Sequence, residues 1–159
     1  AASDVYKRQA AVHLIEADNS SYLCSNRKDS TYIYMKNIAE TYWKRKKMPI
    51  PYLLLSDYEG RNVWSHKGIV HWRGMNICMV TDGYWRNKSA TNLLDIDYMY
   101  LCKGYKGEIA PLQKLFHIKR IVLDASLGDY KSKAYKEECK TLGLDYIDIS
   151  EKGSFRILL

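Results

Sequence analysis

The sequence predicts a single α/β domain in which helices flank mixed β-sheets. Two observations lead to this fold class: β-prone runs follow each other closely between Asn62 and Thr81, and strands alternate with helices from Ile96 onward. A length of 159 residues suits one domain, and 47% apolar with 27% charged residues is typical of a soluble globular chain. We expect residues 1–9 to be a non-native or disordered leader and residues 10–159 to form the domain.

The first half of the chain predicts a hairpin, a helix and a meander. Turn residues separate two β-prone runs near the start, and a helix closes in the basic run Lys44–Lys47, which suits the negative end of a helix dipole. The dipeptides Lys67-Gly68 and Arg73-Gly74 predict tight turns. The predicted elements are strands at Ala10–Ala17 and Ser21–Ser25, a helix at Ser30–Lys47, and strands at Tyr52–Leu55, Asn62–His66, Gly68–Trp72 and Met75–Thr81.

The second half predicts strands with helices between them. Pro111 is compatible with a helix because it falls in the first turn, Asp129 is expected to cap the next helix, and Gly143 to end it. The predicted elements are a strand at Ile96–Leu101, a helix at Glu108–His117, a strand at Arg120–Ala125, a helix at Asp129–Leu142, and strands at Asp145–Ile149 and Ser154–Leu158 joined by a turn at 151–153.

The chain is organised around Asp97–Gly107, DYMYLCKGYKG, where an apolar strand stops in a small basic loop. Lys103, Tyr105 and Lys106 offer no group that binds a metal or moves a proton at neutral pH, so we expect no catalysis from this loop. A net charge of +7 favours contact with phosphate groups or anionic lipids, although a basic excess also simply keeps a domain soluble.

Candidate nucleic-acid contacts are basic side chains and their aromatic neighbours in two segments. Lysine side chains bind backbone phosphates, and aromatic rings stack on bases. Tyr84 is a further aromatic residue that could stack in this way. The alternative is that the aromatic residues anchor the core and the lysines are solvated. The candidates are Trp85, Arg86, Lys88, Lys103, Tyr105 and Lys106.

Signatures of metal or cofactor binding are sparse, and we predict neither a metal nor a cofactor. The chain contains no phosphate-binding glycine motif, no serine-hydrolase elbow and no CxxC pair. His66 and His71 flank a predicted turn, but two ligands without a third are weak support for a metal site.

Four segments in order resemble a known family: MVTDG, DYMYLCKGYKG, RIVLDASLGDY and LDYIDISEKGSFRILL. The resemblance extends over roughly Met75–Leu159. Their succession resembles the C-terminal region of the ComEC-type DNA-internalisation (competence) proteins in their Bacteroidetes form. The resemblance implies a metallo-β-lactamase-like domain of the αββα type.

The same resemblance implies a degenerate site. It places Asp82 where the family has a metal-ligating aspartate, Cys102 in the histidine loop and Ser126 in a later strand-end loop, but no histidine stands at these places. It implies a non-catalytic, structural or DNA-contacting soluble domain of an inner-membrane DNA-uptake channel protein, on a side of the membrane left open. The implied partners are DNA, the transmembrane part of the same protein and other competence proteins.

Two other functions remain open from the residues. The first is a metal-dependent phosphodiesterase or nuclease that recruits its ion through Asp82, His66 and His71. The second is a protein-interaction module, because tyrosine is enriched at interfaces and the chain has 14 of them.

Overall fold

The computed structural model describes residues 11–18, 21–25, 40–41, 43–47, 49, 52–54 and 57–153. The predicted leader and the predicted strand Ser154–Leu158 lie outside these residues. So does most of the predicted helix Ser30–Lys47, of which residues 40–41 and 43–45 are described and helical.

Most described strands belong to one mixed sheet. Seven strands of the described chain form it: β4 Tyr58–Glu59, β5 Val63–His66, β6 Ile69–Trp72, β7 Met75–Val80, β9 Tyr98–Leu101, β11 Arg120–Leu123 and β12 Asp145–Asp148. Their order in the sheet is β12-β11-β9-β7-β6-β5-β4. The strands β7, β9, β11 and β12 are parallel neighbours, whereas β4 to β7 form an antiparallel meander.

The predicted meander is confirmed, and its turns explain its register. Lys67 and Gly68 both have positive φ (48° and 83°), and so do Arg73 and Gly74 (50° and 76°). Two successive left-handed residues are what a type I′ hairpin turn requires, and this turn matches the twist of the flanking strands. A Cβ on Gly68 would lie 2.7 Å from the carbonyl oxygen of Met79, so this position also needs glycine for space.

Two smaller sheets accompany the large one in the described residues. The predicted N-terminal hairpin is confirmed as β1, Ala11–Ile15, paired antiparallel with β2, Ser21–Ser25, and β3, Tyr52–Leu54, joins β2 in parallel. A parallel pair consists of β8, Leu94–Ile96, and β10, Phe116–Ile118.

The second half corrects several local predictions. The strand expected at Ile96–Leu101 is divided, since residues 94–96 pair with β10 and residues 98–101 enter the large sheet. In place of the helix Glu108–His117 there is a short 3₁₀ helix, Ala110–Lys114, and then β10, because Phe116–Ile118 pairs with β8 instead of continuing a helix.

The helix α1 and the end of β12 also differ from expectation. Helix α1, Asp129–Leu142, has Gly128 as its N-cap without a side-chain capping bond, so Asp129 is the first helical residue and not the cap. Gly143 ends α1 with φ 68°, as predicted. The expected turn at 151–153 is replaced by a helical turn, α2, Ile149–Lys152, capped by Asp148, whose carboxylate accepts a hydrogen bond from the Ser150 N–H.

The core lies on both faces of the large sheet. On one face, Met99, Leu101 and Ile121 pack with Tyr135 and Cys139 of α1. On the other face, Ile77 and Met79 pack with residues of the N-terminal sheet, which include Leu14, Cys24 and Leu54. A mixed α/β fold is therefore confirmed, and the metallo-β-lactamase-like arrangement stays a prediction.

Candidate nucleic-acid interface

The carboxyl ends of four parallel strands line up and form one edge of the large sheet: β7 ends at Val80, β9 at Leu101, β11 at Leu123 and β12 at Asp148. Ligands of open α/β sheets bind outside the carboxyl ends of such strands. The segments that follow β7, β9 and β11 contain all the candidate nucleic-acid contacts and all the degenerate-site positions, whereas His66 and His71 of the metal hypothesis lie in β5 and β6.

The loop after β9 lies against the segment after β7. The Cys102 N–H donates to the carbonyl oxygen of Val80 at 3.1 Å. Gly104 has φ 109°, and a Cβ there would lie 2.3 Å from the carbonyl oxygen of Thr81, so the backbones approach closely only because Gly104 has no side chain. The loop that contains Lys103 and the segment that contains Asp82 therefore meet at one sheet edge.

The three degenerate-site positions have different surroundings. Asp82 is exposed, and its carboxylate accepts a hydrogen bond from the Tyr84 N–H at 2.8 Å. Cys102 is fully buried, and burial together with the charge of Asp124 raises the pKa of its thiol well above the ordinary value. The Ser126 hydroxyl accepts a hydrogen bond from the Lys103 N–H at 3.0 Å, which ties the loop after β11 to the loop after β9.

Three lysines surround a cleft at this edge, which we name the lysine cleft. Lys103 and Lys106 come from the loop after β9, and Lys131 comes from the first turn of α1. The cleft has a volume of about 240 Å³, and none of the described residues that line it is acidic. Its lining residues are Lys103, Gly104, Tyr105, Lys106, Leu127, Gly128 and Lys131.

Lys131 is held in place, whereas the other two lysines of the cleft are exposed. Its ammonium group donates to the carbonyl oxygens of Lys106 (3.4 Å) and Gly107 (3.2 Å) and lies 4.6 Å from the centre of the Tyr135 ring. Nothing in the sequence groups Lys131 with Lys103 and Lys106, because Lys131 lies 25 positions after Lys106 and only the fold brings the two segments together.

The prediction that Tyr105 stacks on bases is wrong. Its side chain is 3% exposed, and its hydroxyl donates to the carbonyl oxygen of Glu108 at 2.6 Å. The Tyr135 hydroxyl donates to the Gly107 carbonyl oxygen at 2.8 Å, and the Glu138 carboxylate accepts the N–H groups of Ile109 and Ala110. Tyr105 is therefore part of the scaffold that fixes the lysine loop.

The aromatic and basic residues after Asp82 form a compact cluster. Trp85 is half-buried and packs edge-to-face on Phe116, with ring centres 5.1 Å apart. Tyr84 is 42% exposed, and the Lys88 ammonium lies 3.4 Å from the centre of its ring. Arg86 is exposed beside them. Of this cluster, Tyr84, Arg86 and Lys88 present surface to a ligand, while Trp85 mainly supports the core.

Asp124 is a buried carboxylate at the end of β11 that sequence reasoning did not select. It is 5% exposed and accepts the Ser126 N–H at 2.8 Å, and burial raises its pKa above the ordinary value although Ser126 partly opposes this. Burial and the charge of Asp124 also raise the pKa of the Tyr100 hydroxyl. The available signal was an acid that ends the apolar run RIVL, because such an acid becomes buried when the strand is central.

The residues of the metal hypothesis have separate partners. The His66 ring nitrogen Nδ1 lies 2.8 Å from Asp57, and the His71 Nδ1 lies 2.6 Å from the Asn76 side-chain oxygen. Asp82 bonds to the backbone of Tyr84. In the described ranges no three histidine, cysteine, aspartate or glutamate side chains come together in a way that could hold a metal ion.

The fold and this edge define a mixed α/β domain with a lysine-rich cleft at the carboxyl ends of parallel strands. The family model described as ComEC C-terminal domain matches residues 5–159, and the chain belongs to this family. The resemblance noted in the sequence is thus confirmed at the level of the family, and the chain is part of a membrane protein of competence DNA uptake. Within the described part of the chain, no helix has the length and apolar character of a membrane span. No curated protein and no solved structure matches the chain.

Proposed function

We propose that this domain is a non-catalytic part of the DNA-uptake protein and contacts the incoming DNA through the lysine cleft. The observation that carries the proposal is the convergence of Lys103, Lys106 and Lys131 on one cleft that no described acidic residue lines. Lysine ammonium groups neutralise backbone phosphates without reading the base sequence, which suits a protein that must pass any DNA strand.

The surroundings of the lysine cleft also favour an anion. Gly128, the N-cap of helix α1, lies in the lining of the cleft and has no side chain to cap the first N–H groups of the helix. The partial positive charge at a helix start adds to that of the lysines. A protein charge of +7 attracts the strand from a distance at moderate salt.

The non-catalytic part of the proposal rests on the residues at the degenerate positions. Phosphodiester hydrolysis by this kind of fold needs ligands that gather a metal-bound hydroxide. Burial keeps the Cys102 thiol protonated at neutral pH, since its pKa is raised, and a thiol is a poor metal ligand compared with a thiolate. In the arrangement that the resemblance implies, Lys103 and Lys106 lie in the loop where active members have histidine ligands.

The remaining parts of the proposal concern the setting of the domain. It is a soluble domain of an inner-membrane protein, with the metallo-β-lactamase-like arrangement that the resemblance implies. Its partners besides DNA are the transmembrane part of the same protein and other competence proteins. The family match supports this setting, and the side of the membrane stays open.

The test is the salt dependence of single-stranded DNA binding, measured by fluorescence anisotropy with a labelled oligothymidylate. Each lysine–phosphate contact contributes about 0.7 to the slope of log K against log salt on single strands. Replacing Lys103 and Lys106 by glutamine is therefore expected to lower the slope by about 1.4. Between about 50 and about 200 mM salt, the wild type then loses about 7-fold more affinity than the double variant.

Lys133→Gln is the matched control, because Lys133 is exposed on α1 and does not line the cleft. It removes one positive charge without touching the lysine cleft. The proposed contact is refuted if the wild type does not bind, if its affinity is independent of salt, or if Lys133→Gln lowers the slope per charge as much as the double variant does.

A further inference from the structure

A turn of the meander adds a further lysine to the carboxyl edge of the large sheet. Lys67 lies in the turn between β5 and β6, and the Met79 N–H near the end of β7 donates to the carbonyl oxygen of Gly68 in this turn at 2.8 Å. Because β6 is antiparallel to β7, the start of β6 lies beside the carboxyl end of β7. Lys67 therefore belongs to the same sheet edge as the lysine cleft. It is outside the contacts that the sequence predicted, since only strand pairing brings it there.

Two lysines from different segments converge on the ring of Tyr84. The Lys88 ammonium group lies 3.4 Å from the centre of this ring, and the Lys67 ammonium group lies 5.5 Å from it. All three side chains are exposed, and so is that of Arg86 in the same segment. We name Lys67, Tyr84, Arg86 and Lys88 the Tyr84 cluster.

The ring of Tyr84 holds these cations without neutralising them. An aromatic ring attracts an ammonium group through its quadrupole and carries no net charge, so the full positive charge stays available to an anion. The ring is itself anchored, because Tyr84 packs edge-to-face on Trp85 with centres 4.7 Å apart, and Trp85 packs on Phe116 of the core. Since Lys88 covers the ring so closely, we assign Tyr84 the role of a support for cations and not of a platform for bases.

Two carboxylates adjoin the Tyr84 cluster, and both bind its backbone. Asp57 accepts the Lys67 N–H at 3.2 Å and lies 2.8 Å from the His66 ring nitrogen Nδ1, while Asp82 accepts the Tyr84 N–H at 2.8 Å. The bond from the Lys67 N–H, together with His66 and the charge of Lys67, lowers the pKa of Asp57, so Asp57 is ionised at neutral pH. In the described chain no ion pair joins an ammonium group of the cluster to a carboxylate. Three cations against these two carboxylates leave one positive charge in excess.

Arg86 connects the Tyr84 cluster with the lysine cleft. The segment after β7 lies against the loop after β9, as described above, and Tyr105 of that loop lines the lysine cleft. Burial raises the pKa of the Tyr105 hydroxyl, the charges of Glu138 and Glu108 add to this, and the charge of Arg86 opposes it. Arg86 is therefore close to Tyr105, and neither glutamate lines the cleft.

We infer, on the basis of the proposed contact with DNA, that the Tyr84 cluster is a second phosphate-binding site and that one DNA strand crosses the sheet edge from this cluster to the lysine cleft. Lys67 and Lys88 bind one backbone phosphate, and Arg86 binds the next one toward the cleft. Neighbouring strands lie about 4.8 Å apart, so β6, β7 and β9 span about 10 Å. A DNA strand advances about 3.4 Å per nucleotide, so about three nucleotides connect the two sites.

The experiment measures the salt dependence of binding of a labelled oligothymidylate of about 12 nucleotides to the full chain by fluorescence anisotropy. At about 0.7 per phosphate contact, Lys67→Gln/Lys88→Gln should lower the slope of log K against log salt by about 1.4. Lys103→Gln/Lys106→Gln should lower it by the same amount. The variant with all four changes should lower it by about 2.8, because both sites hold the same strand.

Two further double variants serve as controls. Arg61→Gln/Lys133→Gln also removes two positive charges, but Arg61 precedes β5 at the opposite edge of the sheet and Lys133 is exposed on α1 outside the lining of the cleft. We expect it to change the slope by less than half as much. Lys67→Arg/Lys88→Arg keeps both charges and should retain the wild-type slope.

The outcomes separate this inference from the proposed function. If Lys67→Gln/Lys88→Gln lowers the slope no more than the Arg61 control, while Lys103→Gln/Lys106→Gln lowers it as expected, the second site is wrong and the lysine cleft stands. The inference is also overturned if the four changes together act no more strongly than one pair, or if the arginine variant loses as much slope as the glutamine variant. If the wild type does not bind the strand, the proposed function fails and the second site fails with it.

Discussion

Asp148 is expected to stabilise the fold in a strongly pH-dependent way. It ends β12, is 4% exposed, and receives the Lys136 ammonium at 2.7 Å and the Ser150 N–H at 2.8 Å. Burial raises the pKa of Asp148, but the bonds from Lys136 and Ser150 outweigh burial and lower this pKa from 3.8 to about 2. The folded protein therefore binds the proton more weakly than the unfolded chain does.

The sign and size of the effect follow from this shift. At about 1.4 kcal/mol per pKa unit, the ionised carboxylate contributes about 2 kcal/mol to the free energy of unfolding. Because the folded pKa is the lower one, the contribution is complete above the unfolded value of 3.8 and disappears as the pH falls through 2. Asp148→Asn should consequently cost about 2 kcal/mol at pH 7 and little near pH 2.

The assay is urea unfolding of the wild type and Asp148→Asn at several pH values between about 7 and 2. Other carboxylates titrate in both proteins, so the difference between the two curves isolates Asp148. Asp145→Asn, an exposed carboxylate on the same strand, is the control and should show no such difference. A gap of equal size at pH 7 and pH 2 would refute the assignment of the stability to the ionised Asp148.

Two further changes test the sheet edge that carries the lysine cleft. Asp124→Asn should raise the free energy of unfolding at pH 7. Because the pKa of Asp124 is raised in the folded protein, its stabilising contribution is complete below 3.8 and is lost as the pH rises through the folded pKa. Urea unfolding at pH 7 checks this, and a variant less stable than the wild type contradicts it. Gly104→Ala should destabilise by about 2 kcal/mol or more, since its Cβ meets the Thr81 carbonyl oxygen. Gly74→Ala also has positive φ but open space around the Cβ, so an equal loss in the two alanine variants would exclude the clash.

Elements whose cause is local were predictable from the sequence. The meander follows from alternating apolar residues and from the turns at Lys67-Gly68 and Arg73-Gly74. The type of each turn depends only on the positive φ of its own two residues. The helix end at Gly143 has the same local origin, since a left-handed residue can terminate the helix by itself.

Elements that depend on distant partners were not predictable. Leu112, Leu115 and Phe116 have a spacing that fits one face of a helix, and all three are buried, yet Phe116 lies in a strand. The pairing of residues 116–118 with residues 94–96 decides between the two forms, and nothing within the segment signals that partner. Burial predicted from apolar spacing was right where the element type was wrong.

The site shows the same division. The sequence placed Lys103 and Lys106 in a loop at a strand end, where the structure also has them. It did not associate Lys131 with them, and it left open whether Tyr105 stacks on bases or anchors the core. The structure buries Tyr105, and the absence of a side chain at Gly107 leaves space for its ring. A short loop has no periodic pattern of apolar residues from which burial can be predicted.

The arrangement at this edge connects the buried carboxylate with the lysine loop. The Asp124 carboxylate accepts the Ser126 N–H, and the Ser126 hydroxyl accepts the Lys103 N–H. Asp124, whose burial raises its pKa, therefore holds the lysine loop in place through Ser126. In the proposed function, the ammonium groups of Lys103 and Lys106 take the place of a metal ion as the source of positive charge. Such groups attract a phosphate but cannot generate the hydroxide that would cleave it. A loop that holds DNA without cutting it is what a protein needs if the strand is to pass intact.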